Sequence, residues 1–428
     1  MDCNCHFICV QCNVIVFICR IYLELKAIKM SLSDLKHTLR KLEFPACAKE
    51  ALIKIEQLLV GRAAPTSKQL DIAMDVISEF VFCETDRRGN RRGLNPLQEL
   101  QLIDIICDYL SACTNDTTKN TIFLSLFGGM ENQRKLKVLS ILASMAVSAS
   151  STPVLLAVGV WLQQMGCSSQ QSLQLVENVI KDHFFLNTSN QLALKSLATT
   201  APQFVSNFIT AVTELYMHDL QKAKKMPPKN LLEVITSWVY SNPSLCMSAQ
   251  LNPAALPSGS IPMAAVTPLA GLIHWCALAP LYIDDDTEME EIPIKKIKLE
   301  DEKLSIVKSL PSKALSESEL YIKLHLGVLH SLRAGRRTHG PPTAVNAQHL
   351  AALTPLVQAY AHQLLKFGVK LQSETKLQDC LDRIGQAVQV ALANGCVYGN
   401  ISNLLAALDT LPENRLLQII IKSHQQSI

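Results

Sequence analysis

The chain has 428 residues, of which 48% are hydrophobic and 18% charged, so it has room for two or three domains with a large buried core. Its formal net charge of +3 is too small for a protein that binds nucleic acid over its whole surface. Only 16 glycines are present, which counts against turn-rich β folds and phosphate-binding α/β folds. The composition therefore favours packed helices and an all-α fold.

The N-terminal segment, residues 1–29, is rich in cysteine. The spacing of its cysteines fits no standard zinc module, because no second CxxC or HxxxH pair completes the set. A signal sequence is also disfavoured, since no basic region precedes the apolar stretch Phe7–Leu23. Met30 begins a segment in which Ser33 is suited to cap a helix. We therefore expect residues 1–29 to be a disordered leader or a misassigned start.

From residue 33 onward, apolar residues recur with helical spacing in segments joined by short connections. The spacing in residues 46–60 places the apolar side chains on one face, and residues 67–84 continue the helical pattern. Pro96 occupies the position of a first helical residue, ahead of a third amphipathic segment. Further helices are predicted at residues 168–183, 189–200, 202–224 and 228–240.

Two long uncharged stretches require separate interpretation. Ile141–Leu162 is uncharged over 22 residues, and its hydropathy approaches that of a membrane span. A polar turn interrupts it, in which Thr152 is suited to an N-cap position and Pro153 to a first helical turn. We therefore predict two buried helices and no membrane association. The second stretch is predicted to contain a short helix bounded by Pro268 and Pro280.

A change of composition marks the predicted domain boundary. Residues 282–316 are predicted to be a charged, disordered linker, because acidic residues and then lysines follow one another with few aromatic side chains to bury. The linker separates a predicted N-terminal helical scaffold domain, residues 31–281, from a smaller C-terminal helical domain, residues 317–428. Within the latter, helices are predicted at residues 318–334, 344–370, 374–394, 399–411 and 412–422. No repeat of fixed length is present, so we predict an irregular α-solenoid, a HEAT- or armadillo-like helical stack in architecture only.

The sequence contains no recognisable catalytic or cofactor-binding motif. Walker loops, dinucleotide fingerprints, zincin helices, nucleophile elbows and the kinase motifs are all missing from it. His325 and His330 are five residues apart and so do not share a helix face as i, i+4 metal ligands do. The cysteines after residue 30 lie mostly in apolar helical patterns, and we interpret them as small buried hydrophobes in a reducing compartment. We predict a protein that is not an enzyme and has no catalytic residue, cofactor or metal.

One arginine cluster is a candidate binding loop. Arg87, Arg88, Arg91 and Arg92 fall within six residues, and guanidinium groups bind the phosphates of RNA or the carboxylates of an acidic peptide. No aromatic residue lies within this run to stack on bases. We favour a solvated loop between helices, and an RNA-binding helical protein that uses the loop at 87–92 is the alternative function.

Three weaker signals lie further along the chain. Ile297–Glu300 fits the SUMO acceptor pattern with Lys298 as the acceptor, and Thr287 lies among acidic residues as in a site for an acidophilic kinase. Both patterns are short and common by chance. A smaller arginine cluster at Arg333–Arg337 is also interpreted as a solvated loop.

Several segments, taken together and in order, resemble the Integrator complex subunit 15 family. They are Glu79–Phe82 with LNPLQELQLIDIICDYL (94–110), FLSLF (123–127), LASMAVS (142–148), FITAVTELY (208–216), TPLAGLIHWC (267–276), KLHLGVLHSL (323–332), DRIGQAVQVALANG (382–395) and LPENRLLQII (411–420). The linker departs from the family pattern because it is acidic before it is basic.

The resemblance implies a function as well as a fold. It implies a nuclear, non-catalytic helical subunit that supports the accessory arm of the Integrator complex, with subunits ten, thirteen and fourteen as partners. It places the chain in small nuclear RNA 3′-end processing and in attenuation of RNA polymerase II transcription, with the polymerase contacted only indirectly. It implies no catalytic residue, and the residues themselves disfavour direct nucleic-acid binding and membrane contact.

Overall fold

The chain is predominantly helical, which confirms the predicted all-α class. The computed structural model describes residues 32–60, 65–128, 133–186, 191–217, 226–257, 259–283, 315–334, 344–367 and 371–425. The predicted leader, residues 1–29, and nearly all of the predicted linker lie outside these ranges.

The described residues form two compact units. The first takes the residues up to Val212 together with Asn252–Val266. The second takes Thr213–Leu251 and the residues from Thr267 onward. This division differs from the predicted one at residues 282–316, because helices that precede the linker and helices that follow it share one core in the second unit.

The first unit is built from short helices with one small hairpin. Its helices are α1 (Leu32–Leu39), α2 (Ala46–Leu59), α3 (Ser67–Val76), α4 (Pro96–Ala112), α5 (Asp116–Phe127), α6 (Gln133–Ala149), α7 (Thr152–Met165), α8 (Gln170–Ile180), α9 (Gln191–Thr200) and α10 (Pro202–Leu215). The last three residues of α10 are assigned to the second unit. One π-helical turn, Ile77–Val81, follows α3, and another, Lys181–Leu186, follows α8. Strands β1 (Cys83–Thr85) and β2 (Arg91–Gly93) pair antiparallel.

Two helices of this unit begin at capping boxes that are encoded locally. The Thr66 hydroxyl accepts a hydrogen bond from the backbone N–H of Gln69, and the Gln69 side chain accepts one from the backbone N–H of Thr66. Asn95 and Gln98 form the same reciprocal pair ahead of Pro96. Each pair satisfies N–H groups that have no partner inside the helix. Pro96 is confirmed as the first helical residue.

The uncharged stretch Ile141–Leu162 is divided between α6 and α7, as predicted. Ser150 separates the two helices in the left-handed conformation, with a φ of 50°. Ser151 occupies the N-cap position of α7, one residue before the predicted Thr152. Within the described ranges, no helix combines the length and the hydropathy needed to span a membrane.

Close packing explains a glycine in the middle of α7. A Cβ atom at Gly159 would lie 2.9 Å from the Cα atom of Phe204 in α10. Asn207, also in α10, donates a hydrogen bond from Nδ2 to the Gly159 carbonyl at 2.8 Å. Glycine inside a helix costs about 0.5–1 kcal/mol relative to alanine, and the close approach of the two helices offsets that cost.

The second unit is also helical. It contains α11 (Lys229–Ser241), α12 (Ser248–Leu251), α13 (Leu269–Tyr282), α14 (Glu317–Ala334), α15 (Ala347–Ala351), α16 (Leu353–Phe367), α17 (Leu371–Ala393), α18 (Ile401–Asp409) and α19 (Arg415–Gln425), with a 3₁₀ turn at Leu245–Met247. The short strands β3 (Val345–Asn346) and β4 (Val397–Tyr398) pair in parallel. Helix α14 packs on α11 and α13, and α13 packs on α17. Eleven of the fourteen residues of α13 are buried, so it is the central helix of this unit.

Helix α13 does not end before Pro280 as predicted, because another helix compensates for the proline. Pro280 lacks an N–H group, so the carbonyl of Cys276 four residues earlier loses its helical donor. Arg383 of α17 replaces that donor, with Nη1 2.9 Å from the Cys276 carbonyl oxygen. Lys376 of α17 donates to the carbonyl of Ile283, just after the helix, at 2.8 Å.

Two other predicted helices are broken. The helix predicted over residues 67–84 ends in the π-helical turn and gives way to β1, because residues 83–85 pair with β2 instead. The helix predicted over residues 344–370 begins as β3 and then divides into α15 and α16. Pro355 stands in the first turn of α16, where it needs no helical donor, so α15 does not continue through it.

Candidate functional site

The arginines that we expected on a solvated loop are exposed, and they belong to a short β-hairpin. Its register opposes Glu84 to Arg92 and Thr85 to Arg91. Because successive side chains of a strand point to opposite faces, Arg91 and Arg92 leave the hairpin on different sides. The hydroxyl of Thr85, which is buried, donates to the carbonyl of Glu79 and so ties β1 to the π-helical turn.

An aspartate organises the tip of the hairpin. Asp86 Oδ1 accepts hydrogen bonds from the backbone N–H groups of Arg88 and Asn90, each at 2.8 Å, and Oδ2 accepts one from Asn90 Nδ2 at 2.8 Å. These bonds, led by the one from the Asn90 side chain, hold the pKa of Asp86 below its usual value. Gly89 supplies the positive φ, 89°, that the turn requires. The tip is therefore a preformed turn.

A buried carboxylate anchors the hairpin. Glu79 has only 1% of its side chain exposed, and its Oε1 accepts from Arg40 Nε at 3.0 Å and from Arg40 Nη2 at 2.6 Å. Its Oε2 lies 3.0 Å from Lys36 Nζ and 3.2 Å from Arg91 Nη2. Burial alone would raise the pKa of Glu79, but the hydrogen bonds and charges of Arg40 and Lys36 outweigh it and lower the pKa. Glu79 stays ionised and holds β2 through Arg91.

The four predicted arginines therefore have two different roles. Arg91 is committed to Glu79. Arg87, Arg88 and Arg92 are exposed, and their guanidinium groups form no hydrogen bond or ion pair with any residue that the structure describes. Three cationic groups on an ordered turn are thus left available to an anionic ligand.

Further cations lie beside the hairpin, together with one aromatic ring that is buried. The guanidinium group of Arg134 occupies the space next to Gly93 of β2. Lys135 Nζ lies 5.0 Å from the centroid of the Phe82 ring, and Phe82 is buried with 7% exposure. The ring is therefore covered and unable to stack on a base.

Of the other residues singled out in the sequence, only some fall within the described ranges. Thr287 and Lys298 lie outside the described residues, as does most of the cluster Arg333–Arg337. His325 is buried with Nε2 3.0 Å from Gln386 Oε1, whereas His330 is exposed. In the part of the chain that the structure describes, no group of three or more His, Cys, Asp or Glu side chains is placed to hold a metal ion.

The nine cysteines in the described ranges are free thiols, and six of them are buried. Burial raises the pKa of Cys246, Cys276 and Cys380 to about 12. A thiol with so high a pKa is protonated at neutral pH, and the thiolate is the nucleophile, so these three are unsuited to nucleophilic chemistry. They pack as small hydrophobes.

Sequence reasoning found the arginines but not the residues that position them. Lys36 and Arg40 precede Glu79 by about forty residues and carry no motif, so nothing local connects them to the loop. Asp86, Gly89 and Asn90 are turn-forming residue types within five positions, and this turn signal could have indicated the hairpin.

The sequence matches a known protein family over most of its length. A family model described as Integrator complex subunit 15 matches residues 33–413, a range that includes the hairpin and most helices of both units. The chain belongs to the Integrator complex subunit 15 family. A curated relative with that name from Drosophila melanogaster is 34% identical over 412 residues, which cover 93% of this chain and 100% of the relative. Relatives from Mus musculus and Homo sapiens are each 30% identical, covering 92% of this chain and 88% of their own length.

The match confirms the resemblance that the ordered segments indicate. The name Integrator complex subunit 15 describes membership of an assembly and gives no catalytic activity. The described residues likewise indicate no enzyme fold.

Proposed function

We propose that the chain is a non-catalytic scaffold subunit of the Integrator complex and acts in the nucleus. It supports assembly of the accessory arm that contains subunits ten, thirteen and fourteen. Through that arm it takes part in 3′-end processing of small nuclear RNAs and in attenuation of RNA polymerase II transcription, with the polymerase contacted through other subunits. The observation that carries the proposal is the family match over residues 33–413.

Exposed apolar side chains on the second unit support a role in holding other proteins. Ile322 and Leu326 lie one helical turn apart on α14 and are 49% and 45% exposed. Tyr240 of the neighbouring helix α11 is 42% exposed and has Lys323 Nζ 4.8 Å from its ring centroid. Aromatic and aliphatic side chains of this kind form the buried centre of protein interfaces. An irregular solenoid, which presents such side chains along a stack of helices, is the architecture that we propose.

The proposal is tested by affinity purification of the tagged full-length chain from nuclear extract. We expect recovery of subunits ten, thirteen and fourteen in proportion to the tagged chain, measured by mass spectrometry. Recovery of none of the three would overturn the proposed function.

A pair of matched variants then tests the surface on α14. The double substitution Ile322→Glu and Leu326→Glu should reduce recovery of the arm, because it places two carboxylates in an apolar contact. The control, Leu70→Glu and Met74→Glu, alters another exposed apolar pair one helical turn apart, on α3. Equal recovery with both variants would show that the arm does not use α14.

A further inference from the structure

We propose that the basic hairpin binds the phosphodiester backbone of RNA, without reading its bases, through the guanidinium groups of Arg87, Arg88 and Arg92. The proposed scaffold role does not involve these three guanidinium groups. Binding of this kind is a property of the chain itself, whether or not it joins the Integrator complex.

The arginines are presented by a rigid support. Asp86 fixes the backbone of Arg88 and Asn90 through its carboxylate, and Arg91 pins β2 to the buried Glu79. A ligand therefore does not have to order the turn before it binds, which lowers the entropic cost of association. A turn without these hydrogen bonds would lose conformational freedom when the ligand binds, and binding would be weaker for that reason.

The carboxylates of the hairpin and its anchor are outnumbered by the cations: Glu79, Glu84 and Asp86 are three, whereas Lys36, Arg40 and the four hairpin arginines are six. Asp86 is engaged in the turn, and Glu84 Oε2 accepts a hydrogen bond from Gln98 Nε2 at 3.2 Å. Glu79 is already shared by three cations. The local excess of positive charge is thus carried by the three exposed guanidinium groups, which form charge-assisted bidentate hydrogen bonds with phosphates.

The chemistry of the tip favours a nucleic-acid backbone over an acidic protein. Residues 86–92 consist of charged and amide side chains and one glycine, so the tip has no apolar anchor of the kind on which protein interfaces depend. Phosphate binding needs only charge and donors. Phe82 is buried and covered by Lys135, so this ring next to the hairpin does not discriminate between bases, and we expect binding that is independent of sequence.

The test measures fluorescence anisotropy of a labelled oligouridine of about 20 nucleotides with the purified full-length chain between about 50 and 200 mM salt. The triple substitution Arg87→Ala, Arg88→Ala and Arg92→Ala should weaken binding at least tenfold at low salt. It should also reduce the slope of log K against log salt by about 2, since each lost phosphate contact on a single strand removes about 0.7. These side chains lack partners in the described structure, so the fold should be unaffected.

The control variant removes the same charge elsewhere on the first unit. Lys49, Lys68 and Lys195 are exposed, and their substitution by alanine should leave both affinity and slope unchanged. An equal loss in the control would overturn the proposal, because it would show binding by diffuse charge. No binding by the unaltered chain at low salt would also overturn it. Displacement of the oligouridine by polyglutamate of equal charge at equal concentration would show that the hairpin takes an acidic protein segment instead.

Discussion

Glu79 shows how a single buried carboxylate organises a surface feature. A carboxylate with 1% exposure is stable only when its charge is compensated, and here the compensation comes from two separate parts of the chain. Lys36 and Arg40 come from α1 and its C-terminal end, and Arg91 comes from β2. The carboxylate therefore joins the first helix of the described chain to the hairpin, and the position of the exposed arginines depends on it.

Replacing Glu79 by glutamine should lower the free energy of unfolding of the first unit by about 2–3 kcal/mol, because three cations lose their shared counter-charge. The measurement is the shift of the urea unfolding midpoint of the full chain. Glu50→Gln is the control, since Glu50 pairs with Lys54 at 3.3 Å on a half-exposed helix face, and its substitution should cost less than about 1 kcal/mol. Equal shifts for the two variants would contradict the anchoring role.

The pH dependence of the same variant follows from the lowered pKa. A carboxyl group whose pKa is lower in the folded chain stabilises the fold fully above its unfolded value of about 4.3. That contribution is lost as the pH falls from about 4.3 through the folded pKa. The difference between the unaltered chain and Glu79→Gln should therefore be constant near neutrality and shrink in acid.

At the scale of the element, α13 depends on a neighbour to complete its hydrogen bonding. The proline in its last turn leaves a carbonyl without a donor in the centre of the second unit, and the guanidinium of Arg383 reaches it from α17. The two helices thus share one hydrogen-bond network as well as an apolar contact. A proline costs a helix one hydrogen bond, and a donor from a neighbouring helix offsets that loss.

Arg383→Met should lower the free energy of unfolding by about 1–3 kcal/mol, since the carbonyl of Cys276 is left buried without its guanidinium donor. Adding Pro280→Ala restores the helical N–H, so the double variant should lose less than the sum of the single variants. Thermal unfolding of all three variants measures this coupling. Arg415→Met, at an exposed position at the start of α19, is the control and should have little effect. Strict additivity would show that Arg383 does not replace the missing donor.

Local signals made much of the helical framework predictable. The capping boxes at Thr66 and Asn95, the proline at position 96 and the polar turn near Ser150 all act within a few residues, so the sequence reveals them directly. The hairpin was missed because apolar spacing continues from α3 through the π-helical turn, and the ion pairs of Glu79 with Arg40 and Lys36 join residues about forty positions apart. The extent of α13 was missed for the same reason, since its donor lies more than a hundred residues away in the sequence.

At the scale of the whole molecule, buried histidines make stability depend on pH. His183 lies in the first unit, and His274 and His325 lie in the second. Each directs Nε2 at an oxygen acceptor: the Ser144 carbonyl at 3.1 Å, the His349 carbonyl at 2.7 Å and Gln386 Oε1 at 3.0 Å. Nε2 therefore carries the proton, and the buried Nδ1 of each ring has no partner among the described residues. Burial lowers the pKa of all three imidazoles.

Stability should fall as the pH drops below about 6.5, because the unfolded chain then takes up protons that the three buried rings do not. The fall should level off once the pH is below the lowered pKa values of the folded rings. Replacing His183, His274 and His325 by glutamine should flatten the dependence of the thermal midpoint on pH between about 7 and 5. The same change at the exposed His37, His330 and His362 should leave that dependence unchanged. A fall that persists in the first triple variant would assign the acid sensitivity to other groups.

Helices on the two sides of the segment between α13 and α14 pack on one another: α14 contacts α11 and α13, and α17 contacts α13. A backbone break between α13 and α14 would separate partners that bury the same apolar faces, yet it would leave every helix that the structure describes uncut. Produced alone from such a split gene, the C-terminal polypeptide should aggregate or stay unfolded, whereas co-expression of the two polypeptides should give a soluble heterodimer on gel filtration. If each polypeptide were soluble and monomeric alone, the second unit would not depend on this complementation.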